Sequence, residues 1–399
     1  MNNKNEINSL LDLLSCEKQW QLFFEHKKQK HFLTDAETKE LGSFIDSKAY
    51  LKISQNLENY FKYPKRKEVN KTGTNKKRIV YMYTKEEGFV LKLLAWLLNK
   101  YDYHFHNNLF SFRKEYGVRL AIKNLLKQIG NKKMYCYKLD IKNYFNSIDI
   151  KLLLPKLKDL CCDDASLYDF FDRMLNFDTV NKHGVMAGTP TSPFLSNLFL
   201  TELDKHFLYG NIPYARYSDD IIIFAKSEEE LLSHRKYVAD YLTSQNLVIN
   251  TNKEQIILPN KPWEFLGISH FDGTIDLSSI TIEKIKAKIR RKARAIYRWK
   301  RQKNAPSEKA LKVMIREFNK KFFMHAGSGE LTWSRWFFPL INTDKGLKAV
   351  DEYLQTWLRW LYTGKHNKAN FDKIGYKDLK DLGYECLVNR YWKGEHKFN

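Results

Sequence analysis

The stretch Tyr214-Ala-Arg-Tyr-Ser-Asp-Asp-Ile-Ile-Ile-Phe224 decides the fold of this 399-residue chain. Tyr, Ile and Phe favour β-strands, whereas the adjacent acids Asp219 and Asp220 favour a turn. The stretch therefore predicts a β-hairpin with both carboxylates at its tip. Two like charges beside a buried apolar run are unfavourable unless cations neutralise them, and Mg²⁺ prefers carboxylate ligands. The pattern fits either a metal site or an ordinary Asp-Asp turn, and a third carboxylate would favour the metal site.

A third carboxylate stands at the end of another predicted strand. Residues 134–139 alternate in character and carry aromatic side chains, which predicts a strand, and Asp140 ends it. A carboxylate at a strand end can be aimed from a rigid element. Because Asp140 lies far before Asp219 in the chain, only the fold can bring the two together.

The net charge indicates a polyanionic partner. The chain has 68 Lys and Arg against 46 acidic residues, a formal charge of +22, and nucleic acid is the commonest partner of so basic a fold. A membrane surface is the weaker alternative, because the sequence shows no long apolar run, lipidation motif or signal peptide. The five cysteines form no Cys-x-x-Cys pair, which predicts a reduced, cytoplasmic protein without a zinc site.

Two segments concentrate positive charge. Residues 63–83 predict a strand, a basic turn bearing Lys76, Lys77 and Arg78, and a second strand. This hairpin could clamp a triphosphate or a nucleic-acid backbone, and a solvated charge run explains it equally well. Residues 281–303 predict one helix with 11 Lys or Arg and one acid, which favours a surface for phosphate backbones over a merely solvated face.

Other patterns predict local structure. The first sixty residues predict helices, with a capping box that begins at Thr34. Ser192-Pro193 predicts a helix start after a glycine-containing loop that lets a backbone or a ligand approach closely. Strands are predicted at 247–250 and 255–258, and a single strand with a glycine bend at 263–268. The apolar spacing of Leu354, Trp357, Leu358 and Leu361 predicts a helix core rather than a base-stacking surface.

Taken together, these motifs resemble those of the reverse transcriptase family. The resemblance spans about residues 65–270, with the motifs in the family's order. The matching segments are Lys77-Arg78 and Ser111-Phe-Arg113 (fingers), Asp140 with Phe145 and Asp149 (first catalytic motif), Gly188-Thr-Pro-Thr-Ser-Pro193 (loop–helix motif), Tyr217-Ser-Asp-Asp220 (Tyr-x-Asp-Asp box), Lys253, and Phe265-Leu-Gly267. Two departures are Ala187, where the family commonly has Gln, and Ser218, a small residue in the variable slot of the box.

The resemblance implies an α+β fold of the right-hand polymerase type, with an antiparallel palm sheet, fingers, and a helical thumb. It divides the chain into an N-terminal helical extension (1–60), fingers (61–135), a palm (136–270) interleaved with fingers elements at about 150–185, and a basic thumb with a C-terminal segment (271–399).

The resemblance also implies an RNA-directed DNA polymerase that performs two-metal nucleotidyl transfer with deoxynucleoside triphosphates on an RNA–DNA duplex. Asp140, Asp219, Asp220 and the Ile141 carbonyl would hold two Mg²⁺ ions, for which Mn²⁺ could substitute. The remaining implied contacts are Lys77, Arg78, Ile141, Phe145 and Gly188 with the nucleotide, Lys253 with the pyrophosphate leaving group, and Arg113, Lys288, Arg290, Arg291, Arg294 and Arg298 with nucleic acid. Phe145 would exclude a 2′-hydroxyl, and plain core packing is its alternative.

Within the family, the layout resembles bacterial group II intron, retron and antiphage-defence enzymes. The tail (357–392) is most similar to the unknown-group, defence-associated branch, which implies a noncoding RNA as template or scaffold. Retron or intron biology, an RNA-dependent RNA polymerase (opposed by Phe145) and a non-catalytic RNA-binding scaffold are the alternatives. The sequence leaves the oligomeric state open.

Overall fold

A computed structural model describes residues 9–29, 33–70, 77–177, 184–323 and 332–394. The chain folds as two compact units, Met1–Asn260 and Lys261–Asn399. Helices and antiparallel sheets occur in both units, which confirms the predicted α+β class. None of the helices in the described ranges combines the length and apolar character needed to cross a membrane. The four-part division by fingers, palm and thumb stays a prediction.

The first unit begins with helices, as predicted. The Thr34 hydroxyl accepts a hydrogen bond from the Glu37 backbone N–H, and the Glu37 carboxylate accepts one from the Thr34 N–H, so the capping box is confirmed. Trp20 and Tyr50 are buried with their ring centroids 5.1 Å apart, which anchors this region in the core. The helices are α1 (Glu17–Gln29), α2 (Asp35–Asp46), α3 (Tyr50–Ser54) and α4 (Leu57–Tyr60).

A hairpin follows as predicted, but Lys77 and Arg78 lie in its second strand, paired with Asn70 and Val69, and not in the turn where they were expected. Strands β1 (Lys65–Asn70) and β2 (Lys77–Met82) pair antiparallel. The turn between them, including Lys76, lies outside the described residues. The helices that come next are α5 (Lys85–Leu97), with a 3₁₀ segment to His104, α6 (Val118–Ile129), and, after strand β3 (Tyr135–Asp140), α7 (Tyr144–Ser147), α8 (Ile150–Leu160), α9 (Ala165–Leu175), α10 (Ser192–Phe199) and α11 (Thr201–Tyr209).

A four-stranded antiparallel sheet is the centre of the first unit. It contains β4 (Tyr214–Tyr217) and β5 (Asp220–Ala225), which form the hairpin predicted from the opening stretch, and the strand order is β4-β5-β3-β6, with β6 at Gln255–Ile257. Helix α12 (Glu228–Ser244) packs on β3 and β5. The predicted strand at 247–250 is wrong, because only an isolated bridge joins Ile249 to Ile141.

The second unit has its own sheet, formed by β7 (Trp263–Phe265), β8 (Ile268–Phe271) and β9 (Thr274–Leu277). The predicted single bent strand at 263–268 is instead a tight hairpin. Leu266 and Gly267 take φ values of +49° and +86°, and these left-handed conformations reverse the chain between β7 and β8.

Helices complete the second unit. The predicted basic helix is confirmed as α13 (Ser279–Gln302), whose buried stripe includes Ile285, Ile289 and Ile296. Leu354, Trp357, Leu358 and Leu361 are all buried, which confirms their core role. The other helices are α14 (Ser307–Phe323), α15 (Trp333–Phe337), α16 (Lys345–Thr363), α17 (Asn370–Lys373), α18 (Tyr376–Asp381) and α19 (Leu387–Trp392).

Candidate active site

The central sheet brings three distant carboxylates to one edge. Strand β3 pairs with β5 so that Asp140 lies directly opposite Asp220. Tyr217 pairs with Asp220 across the β4–β5 hairpin, which leaves Ser218 and Asp219 as its two-residue turn. The Ile141 N–H donates to the Asp219 carbonyl oxygen at 3.1 Å, so the end of β3 is tied to this turn.

The turn is held in an unusual conformation. Ser218 has a φ of +62°, a left-handed value that costs energy for a residue with a side chain. Its N–H donates to the Ser111 hydroxyl at 2.8 Å, and that hydroxyl donates in turn to the Asn197 side-chain oxygen at 3.1 Å. Ser111 and Asn197 are buried and fix the turn that carries Asp219, a role that no sequence pattern had indicated.

A buried ion pair between β4 and α11 supports the hairpin. Arg216 on β4 and Asp204 on α11 are both fully buried, and the guanidinium Nε donates to the carboxylate at 2.8 Å. The Tyr214 hydroxyl donates to the same carboxylate at 2.9 Å, and Arg216 Nη2 donates to the Asn197 carbonyl oxygen at 3.1 Å. Burial lowers the pKa of Arg216, but the charge and hydrogen bonds of Asp204 raise it by more, so the guanidinium stays charged.

Asp140 already has a cationic partner. The Lys253 ammonium donates to one of its carboxylate oxygens, and the Asn250 side-chain amide donates to the other at 2.9 Å. Partial burial lowers the pKa of Lys253, but the hydrogen bond to Asp140 and the nearby acids outweigh it and leave the pKa raised. The structure thus places Lys253 at the carboxylate cluster, where a bound cation would compete with it for Asp140.

The surroundings of Asp219 disfavour its ionised form on balance. Burial, followed by the charges of Asp220 and Asp140, raises the pKa of Asp219 to about 6. Across the described ranges, no three His, Cys, Asp or Glu side chains already converge at metal-ligating separation. The donor chemistry nevertheless fits a hard divalent cation, because burial and two neighbouring acids destabilise the ionised form of Asp219 by more than Lys253 stabilises it.

This shift predicts how stability depends on pH without metal. Because the pKa of Asp219 is raised in the folded state, its contribution to the free energy of unfolding is complete below its ordinary pKa of 3.8. That contribution is lost as the pH rises through about 6. Asp219→Asn should therefore stabilise the metal-free first unit by roughly 1–3 kcal/mol at about pH 7.5, and little at about pH 4. Chemical denaturation in EDTA at both pH values measures this, and an equal gain at both would contradict it. The exposed α12 substitution Asp240→Asn is the control.

Three aromatic rings stand beside the carboxylates. Phe145 lies on the short helix α7, which follows Asp140 in the chain. Its ring centroid is 6.2 Å from that of Phe112. Phe112 lies 6.4 Å from Tyr217, the residue that precedes the turn, and is 53% exposed. Phe145 is half-buried, so its ring is neither plain core nor free surface.

Gly188 is placed against the basic hairpin. Its φ is +105°, and a Cβ there would lie 3.1 Å from the Tyr81 carbonyl oxygen and 3.2 Å from Val80 Cβ. The neighbouring Ala187 carbonyl oxygen accepts a hydrogen bond from the Tyr81 N–H at 2.8 Å. The glycine therefore lets β2 lie against the loop, and its predicted nucleotide contact stays a prediction.

The other binding residues predicted in the first unit differ in their exposure to solvent. Lys77 and Arg78 are exposed on β2, and Lys77 forms an ion pair with Glu68 at 3.2 Å. Arg113 requires a correction. Its side chain is only 3% exposed and its guanidinium donates to both carboxylate oxygens of Asp102 and to the His106 carbonyl, so it cannot bind nucleic acid as predicted.

Asp149 also has a structural role. Its carboxylate accepts a hydrogen bond from the Lys151 N–H at 2.9 Å and caps the start of α8. The Asn246 side-chain amide donates to its other oxygen at 2.9 Å. The aspartate therefore ties α8 to the end of α12 instead of joining the carboxylate cluster.

In the second unit, α13 presents a basic face. Arg290, Arg291, Arg294 and Arg298 are exposed and Lys288 is half-buried, so the residues predicted to contact nucleic acid share the outer side of one helix. Arg294 also lies over the Trp357 ring at 5.8 Å. Within the described part of the chain, no acid pairs with Arg290, Arg291 or Arg298, which leaves their charges available to phosphates.

Comparison with known proteins adds independent findings. The family model described as reverse transcriptase (RNA-dependent DNA polymerase) matches residues 64–270. Retron Ec83 reverse transcriptase of Escherichia coli is 31% identical over 151 residues, covering 33% of this chain and 46% of that protein. Retron Ec86 reverse transcriptase of the same species is 24% identical over 228 residues, covering 55% and 67%. Group II intron-encoded protein LtrA of Lactococcus lactis subsp. cremoris is 25% identical over 227 residues, covering 53% and 37%, so the chain spans about half the length of these relatives.

Proposed function

Because the chain belongs to the reverse transcriptase family, whose right-hand polymerase fold agrees with its α+β architecture, we propose that it synthesises DNA on an RNA template. The observation that carries this proposal is the meeting of Asp140, Asp219 and Asp220 at one end of the central sheet. The test is incorporation of deoxynucleotides by the purified chain on an added RNA template with a DNA primer. The proposal would be refuted if no template-dependent product formed with Mg²⁺ and none formed with Mn²⁺.

Two Mg²⁺ ions are the proposed cofactors. Asp140, Asp219, Asp220 and the Ile141 carbonyl are the residues that would hold them, and Mn²⁺ has the same preference for hard oxygen ligands. When bound, such ions stabilise the attacking and leaving oxygens of an in-line displacement. The high pKa of Asp219 supports the proposal, because a nearby cation would favour its ionised form.

The surrounding residues have distinct proposed tasks. Lys77 and Arg78 would pair with the triphosphate, because they are exposed on a strand that contacts the loop with Gly188 and Ala187. Lys253 would release Asp140 when cations bind and then donate a proton to the departing pyrophosphate. A lysine ammonium is protonated at neutral pH and so carries the proton that this step needs.

Phe145 is the proposed selector of the sugar. Its half-buried ring, braced by Phe112, would leave no room for a 2′-hydroxyl. Phe145→Ala should therefore raise the use of ribonucleotides relative to deoxynucleotides by roughly tenfold or more, which corresponds to about 1.4 kcal/mol of lost discrimination. Competition between the two nucleotide types on one primer measures the ratio. An unchanged ratio would support core packing instead, and exposed Tyr63→Ala is the aromatic control.

The basic face of α13 is the proposed grip on nucleic acid. Replacing Arg291, Arg294 and Arg298 together by Gln should reduce the slope of log affinity against log salt by about 2–3, because each phosphate contact releases close to one counterion. Filter binding of an RNA–DNA duplex over a range of salt concentrations measures the slope.

The matched control replaces the same number of charges on another helix. Lys309, Lys312 and Lys320 are exposed on α14, and their substitution by Gln should change the slope much less. If both triple variants lose the same slope, the protein holds nucleic acid by overall charge and not by the α13 face.

The biological role is proposed from the tail and the charge. We propose that the template is an associated noncoding RNA and that the DNA product acts in antiphage defence, because the tail resembles defence-associated enzymes and the net charge of +22 suits a stably bound RNA. Retron biology is the alternative, favoured by the similarity to two retron enzymes. Sequencing the RNA that copurifies with the chain, and the DNA made on it, distinguishes the two. A bound RNA without any DNA product would leave the scaffold alternative.

A further inference from the structure

One buried arginine in the second unit is unlike the others. Among the described residues, three arginines are buried: Arg113, Arg216 and Arg359. The first two pair with Asp102 and Asp204 respectively. Arg359 is 4% exposed, and no carboxylate of the described chain lies within ion-pair distance of it. A buried charge without a counter-charge is expensive, so a compensating anion is expected.

The guanidinium of Arg359 is only partly satisfied. Its Nε donates to the Ile374 carbonyl oxygen at 3.1 Å, and its Cζ lies 4.1 Å from the centre of the Phe371 ring. Nη1 reaches the Gln355 side-chain oxygen only at 3.5 Å, a weak contact for a donor of this strength. Burial lowers the pKa of Arg359, which agrees with the lack of a carboxylate partner. Donor capacity therefore remains for a ligand.

Arg359 lines a small cavity of about 270 Å³. Arg359 forms its buried wall, His366, Asn367 and Lys368 stand along the exposed loop after α16, and Phe371 closes one side. No acidic residue of the described chain lines it. Donors from Arg, Lys, His and Asn with one aromatic ring form a set suited to a phosphate that carries a base.

We propose that this cavity binds the phosphate of a single nucleotide, whose base stacks on the outer face of Phe371. Arg359 covers one face of the Phe371 ring, and Phe371 is still 58% exposed. The ring can therefore lie between the guanidinium on one face and a base on the opposite face. The cavity has room for a phosphate, with the base outside it, and is too small for a duplex. This site goes beyond DNA synthesis, since none of its residues belongs to the carboxylate cluster. The nucleotide could be free or the end of an RNA strand.

Binding to the full-length chain tests the site. Equilibrium titrations without divalent metal would use AMP, adenosine, orthophosphate, and one short RNA with either a 5′-phosphate or a 5′-hydroxyl. AMP should bind at least about tenfold more tightly than adenosine or orthophosphate, because only AMP supplies both the charge and the base. AMP should also slow hydrogen exchange within residues 359–374. If the RNA with a 5′-phosphate binds more tightly than AMP and than the RNA with a 5′-hydroxyl, the ligand is the end of an RNA strand. If it does not, the ligand is a free nucleotide.

Two exposed variants avoid the risk that Arg359 is needed for folding. Lys368→Ala and Phe371→Ser should each weaken AMP binding by roughly tenfold, whereas Lys377→Ala, an exposed lysine outside the cavity, should not. Unchanged affinity in both variants, or no saturable binding up to about 10 mM AMP, would overturn the proposal. An Asp219→Asn background makes this test independent of DNA synthesis, because AMP should bind there equally well.

Discussion

Asp219→Asn is expected to abolish RNA-templated DNA synthesis. The substitution keeps the size of the side chain and removes the charge at the centre of the carboxylate cluster, where burial and two neighbouring acids already raise its pKa to about 6. Losing several kcal/mol of charge stabilisation in the transition state corresponds to a fall of roughly 10³-fold in the rate. Incorporation of labelled deoxynucleotides under single-turnover conditions measures the change.

The control and the binding readout separate catalysis from folding. Asp240→Asn removes an exposed carboxylate from α12 and should retain full activity. RNA affinity of Asp219→Asn should stay within about twofold of wild type, because the phosphates are held by basic residues elsewhere. Synthesis above about a tenth of the wild-type rate in the Asp219 variant would disprove the assignment of this residue.

The same substitution should affect stability and activity in opposite directions. Without metal, ionised Asp219 destabilises the first unit above about pH 6, so its removal is expected to stabilise the fold while it removes the chemistry. Residues kept at a stability cost are typical of functional sites. Added Mg²⁺ should raise the melting temperature of the wild-type chain and not that of Asp219→Asn.

Local sequence was enough to predict the elements that carry the site. Residues 214–224 predict the β4–β5 hairpin because two acids interrupt a strand-forming run, and α13 follows from its apolar period. The pairing of Asp140 with Asp220 depended on a resemblance to a family, since no local rule joins segments so far apart. Short irregular segments were harder. Residues 247–250 look like a strand but make one bridge only, because pairing depends on the neighbouring strand and not on propensity.

Residue type did not reveal which polar groups are buried. Arg113 stands in a basic, aromatic segment and was predicted to touch nucleic acid, yet Asp102 and nearby carbonyls surround it. Ser111 and Asn197 shape the turn through contacts across 86 residues of chain. Such partners are set by tertiary packing, so a single sequence carries no signal for them.

Breaking the buried pair of Arg216 and Asp204 should strongly destabilise the β4–β5 hairpin. Asp204→Asn leaves a fully buried guanidinium without its counter-charge and weakens the bonds to Arg216 and Tyr214. Breaking a buried pair in this way costs about 3–5 kcal/mol, so urea denaturation of the first unit should show a loss of that size. The surface pair Arg173–Glu58 offers the control, since Arg173→Gln should cost less than about 1 kcal/mol.

A second substitution distinguishes a need for charge from a need for a filled volume. Combining Asp204→Leu with Arg216→Met removes both charges, and it should recover part of the lost stability, because a matched apolar pair avoids the desolvation cost. DNA synthesis should not recover with it, since Arg216 also donates to the Asn197 carbonyl, and the Asn197 side chain orients the Ser111 hydroxyl that holds the turn before Asp219. If stability and synthesis recovered together, the pair would serve folding alone. Recovery of stability without synthesis would show that the ion pair positions the catalytic turn.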